Sequence, residues 1–438
     1  MLRISRIRKA LSCMTAVLTC FLLTACGALY VSAGTRDSVR EQEQTRLPLS
    51  PDTGPGEGSF AKEGLTETDG SRNEDLADRQ SAEQQEKTKE PAEVTILAAG
   101  DNLIHTSVYE DAETAEGYDF RPMYQYVKEQ ITRADIATVN QETPLAESVY
   151  AVSGYPAFNS PDAAGDALID TGFDVINLAN NHMLDKGTKG ALATLAYWEE
   201  KGIPAVGFYA SEEDADRIRI IEKNGIKVAF LGYTQISNSR MPSGTDCVMI
   251  FTSQEDRIRE QIRKARQQAD LVVVHTHWGT ENTFRVDGSV RALAQKMVDW
   301  GADIIIGNHP HVLQELTVLT RESDGSLCPV IYSLGNFISA QKTGSNLLSG
   351  MLTVKAVRDP ATGMVRPAAM CLDPIVTYYE NGRQGFRIYP LEDFTEEMAA
   401  EHGVHEFDSM SMEMLRQIIE DAVPVRYLNT MGELEEPE

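Results

Sequence analysis

Short apolar runs alternate with amphipathic stretches along this chain, and most of the runs stop abruptly in a polar cluster. Glu93 to Asp101 holds Val94, Ile96, Leu97, Ala98 and Ala99 and closes in Gly100-Asp101. This reads as a strand ending in Gly-Asp; the shorter run Asp303 to Ile306, closed by Gly307, suits a strand covered on both faces. Asp119 to Arg133 places Phe120, Met123, Tyr124, Val127 and Ile131 at helical spacing. Ile136 to Glu142 is a second strand, and Asp174 to Leu178 is a third, delivering Asn180-Asn181-His182. Between them, Ser160-Pro161-Asp162 predicts a helix start with Ser as N-cap and Pro at the first helical position, and the helix ends near Gly172.

A helix over 188–201 leads to a short strand at 204–207. Asn224-Gly225 between two apolar runs predicts a tight hairpin. A charged helix over 253–268 precedes a strand from Asp270 to Val274, which delivers His275 and His277. A helix over 289–300 precedes the run Asp303 to Ile306, closed by Gly307 and followed by His309-Pro310-His311. Pro310 biases His309 towards extended backbone, where residues two apart point to one side. Three strands then follow without helices between them, over 330–337, 351–357 and 364–378. The alternation predicts an α/β layered domain with a mixed sheet or two packed sheets.

Composition bounds the ends of the chain. The 438 residues suffice for one large domain or two ordinary ones with appendages. Arg3, Arg6, Arg8 and Lys9 precede an apolar stretch from Ala10 to about Ala33, which reads as an export signal. Leu23-Thr24-Ala25-Cys26 fits a bacterial lipobox with Cys26 lipidated, and the same stretch is long enough to span a bilayer uncleaved. Either version makes residues 1–33 a membrane anchor and places the body outside the cytoplasmic membrane. Residues 34–91, rich in Glu, Gln, Ser, Thr, Gly and Pro, read as a disordered tether. The body runs over 92–390, and 391–438 reads as an acidic, partly helical appendage with a helix over 410–421. A net charge of −26 argues against nucleic acid as a partner. Cys247, Cys328 and Cys371 are too scattered for a zinc-thiolate site.

The chemistry lies in the histidines. Six of the eight (105, 182, 275, 277, 309, 311) fall at or just after predicted strand ends, while His402 and His405 lie in the acidic tail and read as solvated. The same junctions carry Asp101, Glu142, Asn180 and Asn181. Carboxylate, amide and imidazole on one rim of a sheet suit divalent Mn, Fe, Zn or Mg, and the inventory suffices for two ions.

Gly100-Asp101, Asn140-Gln141-Glu142, Asn180-Asn181-His182 with Asp185, His277-Trp278-Gly279-Thr280-Glu281, Gly307 to Gln314 and Tyr332 to Phe337 together resemble, in order, the motif series of the bacterial CapA family, the poly-γ-glutamate capsule synthesis proteins. That resemblance implies a fold like the calcineurin-like metallophosphatases: a sandwich of two mixed β-sheets flanked by helices. It implies a dinuclear site in which Asp101 and His311 hold one metal, Asn181, His277 and His309 hold the other, and Glu142 bridges. His182 becomes the general acid or phosphate contact. His275 competes with His277, His105 and Asn180 are ligand or supporting candidates, and Glu281 is an alternative ligand. Gln141 stands where the family more often has Leu.

Three functions follow as expectations. The first is a tethered extracytoplasmic protein of poly-γ-glutamate capsule or envelope-polymer assembly, working beside a polymer synthase. The second is a metal-dependent phosphoesterase acting on an envelope phosphate ester. The third is a metal-free scaffold of a membrane complex. Arg285 and Arg291 could supply a local anion patch, but a solvated helix face is the preferred reading of them.

Overall fold

The computed structural model describes residues 92–436. The anchor expected over 1–33 with Cys26, and the tether expected up to residue 91, lie outside the described residues. Fourteen strands matter for the architecture: β1 (Glu93–Asn102), β2 (Ile136–Gln141), β3 (Val175–Asn177), β4 (Ala205–Val206), β5 (Arg219–Lys223), β6 (Ile226–Thr234), β7 (Leu271–His277), β8 (Ile304–Asn308), β9 (Leu316–Thr320), β10 (Leu327–Ile331), β11 (Leu348–Arg358), β12 (Val365–Glu380), β13 (Gln384–Pro390) and β14 (Gly432–Glu433). The longer helices are α1 (Asp162–Thr171), α2 (Gly187–Glu200), α3 (Glu255–Gln268), α4 (Gly288–Trp300) and α5 (Met412–Ala422).

These strands form two mixed sheets. The first runs β13-β12-β11-β1-β2-β3-β4, with β14 beside β12; β1 to β4 are parallel and the rest antiparallel. The second runs β9-β10-β8-β7-β6-β5, parallel at its centre and antiparallel at both edges. Side-chain alternation shows how they stack. Ile226, Val228 and Phe230 of β6, Leu271 and Val273 of β7, and Ile304 and Ile306 of β8 share one core with the first sheet. The intervening Ala229, Leu231, Val272, Val274 and Ile305 instead pack with Ile258, Ile262 and Ala265 of α3 and Ala294 and Met297 of α4. A strand's period of two thus gives each strand of the second sheet one face towards the first sheet and one towards helices.

Local rules account for most boundaries. Gly172 closes α1 in the left-handed region at φ 109°, and the Asn224-Gly225 hairpin has φ 52° and 73°, the primed turn its sequence demands. Gly307 is required for another reason: a Cβ there would stand 1.9 Å from the Tyr332 carbonyl oxygen.

Several expectations are corrected. The stretch from Asp119 to Arg133 is two short helices, Arg121–Tyr124 and Lys128–Thr132, although its apolar residues are buried as their spacing predicts. The break follows Tyr124, which is drawn inward to donate its hydroxyl to Asn102 Oδ1 (2.8 Å) and to stack on Phe337. Ser160 does not cap α1. Its hydroxyl donates to Thr143 Oγ1 (2.6 Å), and Pro161 holds the cap position. The strand expected over 330–337 ends at Ile331, because the chain turns through Gly335 at φ 76°. The segment after Leu391 is not an appendage: Phe394, Ala399, Val404, Leu415, Ile419 and Tyr427 are buried in the shared core. His402, expected in solvent, is fully buried, donating from Nε2 to Thr377 O (3.0 Å) and accepting at Nδ1 from Val404 N–H (2.9 Å). The acidic residues of this segment mark only its outer face. All three described cysteines are buried and free.

Candidate metal centre

The carboxyl ends of β1, β2, β3, β7 and β8 meet where the two sheets face each other. On β7 the inward face carries Leu271 and Val273, and the period of two brings His275 and His277 onto it. His275 lies one row inside, with Nε2 2.9 Å from Thr138 Oγ1 of β2. His277 reaches the edge: its Nε2 lies 3.0 Å from Asn181 Oδ1, 3.1 Å from His309 Nδ1 and 3.6 Å from Glu142 Oε1.

His309 and His311 follow β8, but not in extended backbone as Pro310 led us to expect. Both occupy the left-handed region, at φ 98° and 58°. Non-glycine residues there are strained and persist where surrounding structure over-determines them. The rings still converge, 6.0 Å apart, and the reason lies in the clamp around them. His311 Nδ1 sits 3.1 Å from Asp101 Oδ2 and 2.9 Å from Asn336 Oδ1, and its Nε2 is 3.8 Å from Glu142 Oε1.

Asp101 is aimed by its own lattice. Gly100 lets the Gly335 carbonyl approach, since a Cβ would stand 2.0 Å from that oxygen, and Asp101 N–H donates to it (2.9 Å). Asn140 Nδ2 donates to Asp101 Oδ1 (2.7 Å), and Asn177 Nδ2 to Asn140 Oδ1 (2.9 Å). Asn180 donates to Gln141 O (2.9 Å) and accepts from His182 N–H (3.1 Å), so it shapes the loop and lies behind the ligands. Gln141 takes a hydrogen bond from Asn102 (2.7 Å) across the β1–β2 pairing.

Two ligand sets result, Asp101–Glu142–His311 and Glu142–His277–His309, with Glu142 common to both. Glu281, exposed on the rim, reaches His309 and His311 in a third grouping. His105 falls outside all of them. It accepts from Ala340 N–H (3.3 Å) and packs edge-on against Phe158.

The donor chemistry fits a divalent ion. Both Glu142 oxygens are buried and have no hydrogen-bond partner, a condition native proteins avoid unless something else neutralises the charge. Burial, then the neighbouring Asp101, pushes the Glu142 carboxyl well above the usual range. Burial and the facing imidazoles hold His277 well below its ordinary value and His309 down to about 4, so both present lone pairs. Burial would depress His311 too, but Glu142 and Asp101 outweigh it and lift it to about 9. Around His277 Nε2, one proton could not satisfy Asn181 Oδ1, His309 Nδ1 and Glu142 Oε1 together; one cation would.

Beside this cluster, His182 Nδ1 donates to Asp185 Oδ2 (2.8 Å), which also accepts Phe158 N–H (2.9 Å). The Phe158 ring stands edge-on to His182 at 4.8 Å. Sequence reasoning gave no part to Asn140 or Asn336, although both lie inside the motifs it quoted. Asn238, which touches Asn181 and His182, carried no sequence signal.

Residues 95–341 match the family model described as bacterial capsule synthesis protein PGA_cap. The capsule biosynthesis protein CapA of Bacillus anthracis is 32% identical over 263 residues, covering 58% of this chain and 62% of that protein. The PGA biosynthesis protein CapA of Bacillus subtilis is 32% identical over 222 residues, covering 50% and 57%. The chain thus spans less than two thirds of the length of these relatives. A solved structure of a novel phosphatase from Mycoplasma pneumoniae overlays at a TM-score of 0.42 with 15% identity, covering 65% of this chain and 94% of that one, too distant to speak to chemistry. The family match opens within β1 and closes after Asn336, so it encloses the whole cluster: the chain belongs to the PGA_cap family of bacterial capsule synthesis proteins.

Proposed function

We propose that this chain is a metal-dependent hydrolase of phosphoesterase type, acting on a phosphate ester of an envelope polymer under assembly. Its N-terminal segment tethers it outside the cytoplasmic membrane, within reach of the growing polymer and its synthase. One observation carries the chemistry: a buried carboxylate, Glu142, with neither oxygen hydrogen-bonded, shared between two ligand sets. The names of the Bacillus relatives, capsule and PGA biosynthesis proteins, point to the envelope polymer.

Asp101 and His311 would hold one ion, Asn181, His277 and His309 the other, and Glu142 both. Divalent ions held there would neutralise charge building on a phosphoryl group and draw a nucleophile from water at neutral pH. The chain's own residues do the rest. Asp185 and Phe158 fix the His182 ring with Nδ1–H turned away, which leaves Nε2 to protonate a departing oxygen. Asn140 and Asn336 hold Asp101 and His311 in orientation.

Metal content tests this directly. The full-length chain, purified without chelator, is expected to carry about two divalent ions, the number its shared-carboxylate inventory suits. The His309→Ala/His311→Ala double variant should lose most of them while keeping its circular dichroism. A wild-type chain that takes up no metal after soaking in Mn or Zn rules the hydrolase out and leaves the scaffold reading.

A further inference from the structure

One wall of the site comes from a loop that lies in none of the motifs. Leaving β6 at Thr234, Gln235 N–H donates to His277 O (2.8 Å), and Gln235 Oε1 accepts Gly279 N–H (2.7 Å). The loop is therefore pinned to the strand end that presents His277. Three residues later Asn238 N–H donates to Asn181 O (2.9 Å). This bond sets the Asn238 amide over the Asn181–His182 pair, with Nδ2 3.5 Å from Asn181 Oδ1 and 3.4 and 3.5 Å from the two ring nitrogens of His182.

Those three contacts are longer than a formed hydrogen bond of this type. Two of the three partners are already engaged, Asn181 Oδ1 by His277 and His182 Nδ1 by Asp185, and the third, His182 Nε2, is the atom assigned to proton transfer. Asn238 itself is exposed, so its outer side is open to an arriving molecule. Arg240, two residues on, is also exposed and has no ion pair among the described residues. A donor placed by its own backbone, uncommitted, and poised between a ligand residue and the proton donor is suited to a developing oxyanion.

We infer that Asn238 is a substrate-contacting residue whose amide N–H groups donate to a non-bridging oxygen of a bound phosphate or phosphate ester. The inference rests on the phosphoesterase reading and adds the residue that recognises the tetrahedral oxyanion.

The test uses the full-length chain loaded with Mn, as wild type, Asn238→Ala and Asn238→Asp. Binding of inorganic phosphate is read by calorimetry, and hydrolysis of bis-p-nitrophenyl phosphate by kinetics. Asn238→Ala should bind phosphate about 10-fold more weakly and lose about 100-fold in kcat/KM, the scale seen on removing one oxyanion donor. Asn238→Asp, equal in size but repelling the anion, should be worse. Metal content and the pH limbs of the rate profile should not move. Wild-type phosphate affinity in Asn238→Ala, or a shifted pH limb with unchanged phosphate affinity, overturns the contact. A metal-loaded wild type that neither binds phosphate nor cleaves the ester overturns the phosphoesterase reading itself, and the inference falls with it.

Discussion

The two ends of β8 are equally buried and opposite in character. At the amino end Asp303 accepts Val272 N–H (2.8 Å) and an Arg266 guanidinium on one oxygen and Arg321 Nη2 (2.7 Å) on the other. Arg321 also donates to Val298 O (2.9 Å) and Ala302 O (2.8 Å). Every buried charge there has a partner within the fold. Five residues on, Asn308 has both side-chain polar atoms buried and unpartnered, the next histidines sit at positive φ, and the facing Glu142 accepts from nothing. One strand thus carries buried polar groups that the fold pairs at one end and leaves without hydrogen bonds at the other, where the proposed metal site lies. Paired charge is concentrated at one end, and unpaired polar atoms at the other.

The amino end is the easier to break. Arg321→Met leaves Asp303 Oδ1 without a partner, with Arg266 and Val272 N–H both on the other oxygen, and is expected to destabilise the chain by about 3–5 kcal/mol, the usual cost of breaking a buried ion pair. Urea unfolding reads this, and a loss under about 1 kcal/mol would show that the clamp is dispensable.

His402 tests the same rule with protons, away from the candidate metal centre. Burial holds it down to about 4, and protonating Nδ1 would break the bond from Val404 N–H. A folded value below the unfolded one gives stability that is complete above about 6.5 and is lost as pH falls towards 4. At about 1.4 kcal/mol per unit this amounts to about 3 kcal/mol. The difference in unfolding free energy between wild type and His402→Gln should therefore shrink by that amount from pH 7 to pH 4; a constant difference would mean His402 is not buried neutral.

The carboxyl end should respond with the opposite sign. In chelator-treated protein, Glu142→Gln is expected to raise stability by about 1–3 kcal/mol at pH 8, because the desolvation of a carboxylate with no hydrogen bond outweighs the pull of His277 and His311 at 3.6 and 3.8 Å. Since the Glu142 carboxyl is pushed up, its penalty is present at high pH and fades as pH falls and the group protonates, so the gain should vanish in acid. Loss of stability at pH 8 would mean that Glu142 has an internal partner after all, and the contrast between the two ends would collapse.

Much of this contrast was legible in the chain. Apolar runs ending in Asp101, Glu142, Asn181, His277 and His309 locate the strand ends, because a strand's period fixes which side each residue faces. The alternation could not say which of His275 and His277 reaches the edge, since both share a face; only the strand's length decides. Nor could it find β9 or β13, short edge strands with half-exposed residues. The left-handed His309 runs against the preference Pro310 imposes on the residue before it, and the positive φ of both histidines belongs to their tertiary surroundings. Asn238 was invisible because its position depends on one backbone bond to Asn181, which no local pattern encodes.

The burial of the last forty-odd residues has a consequence for how the protein is made. β1 pairs with β11 some 250 positions later, and β14 pairs with β12 almost at the C-terminus. The shared core therefore cannot close while the ribosome still holds the tail, and contacts of such long range form late. Folding of the body is thus tied to a tail that its acidic composition had made look dispensable.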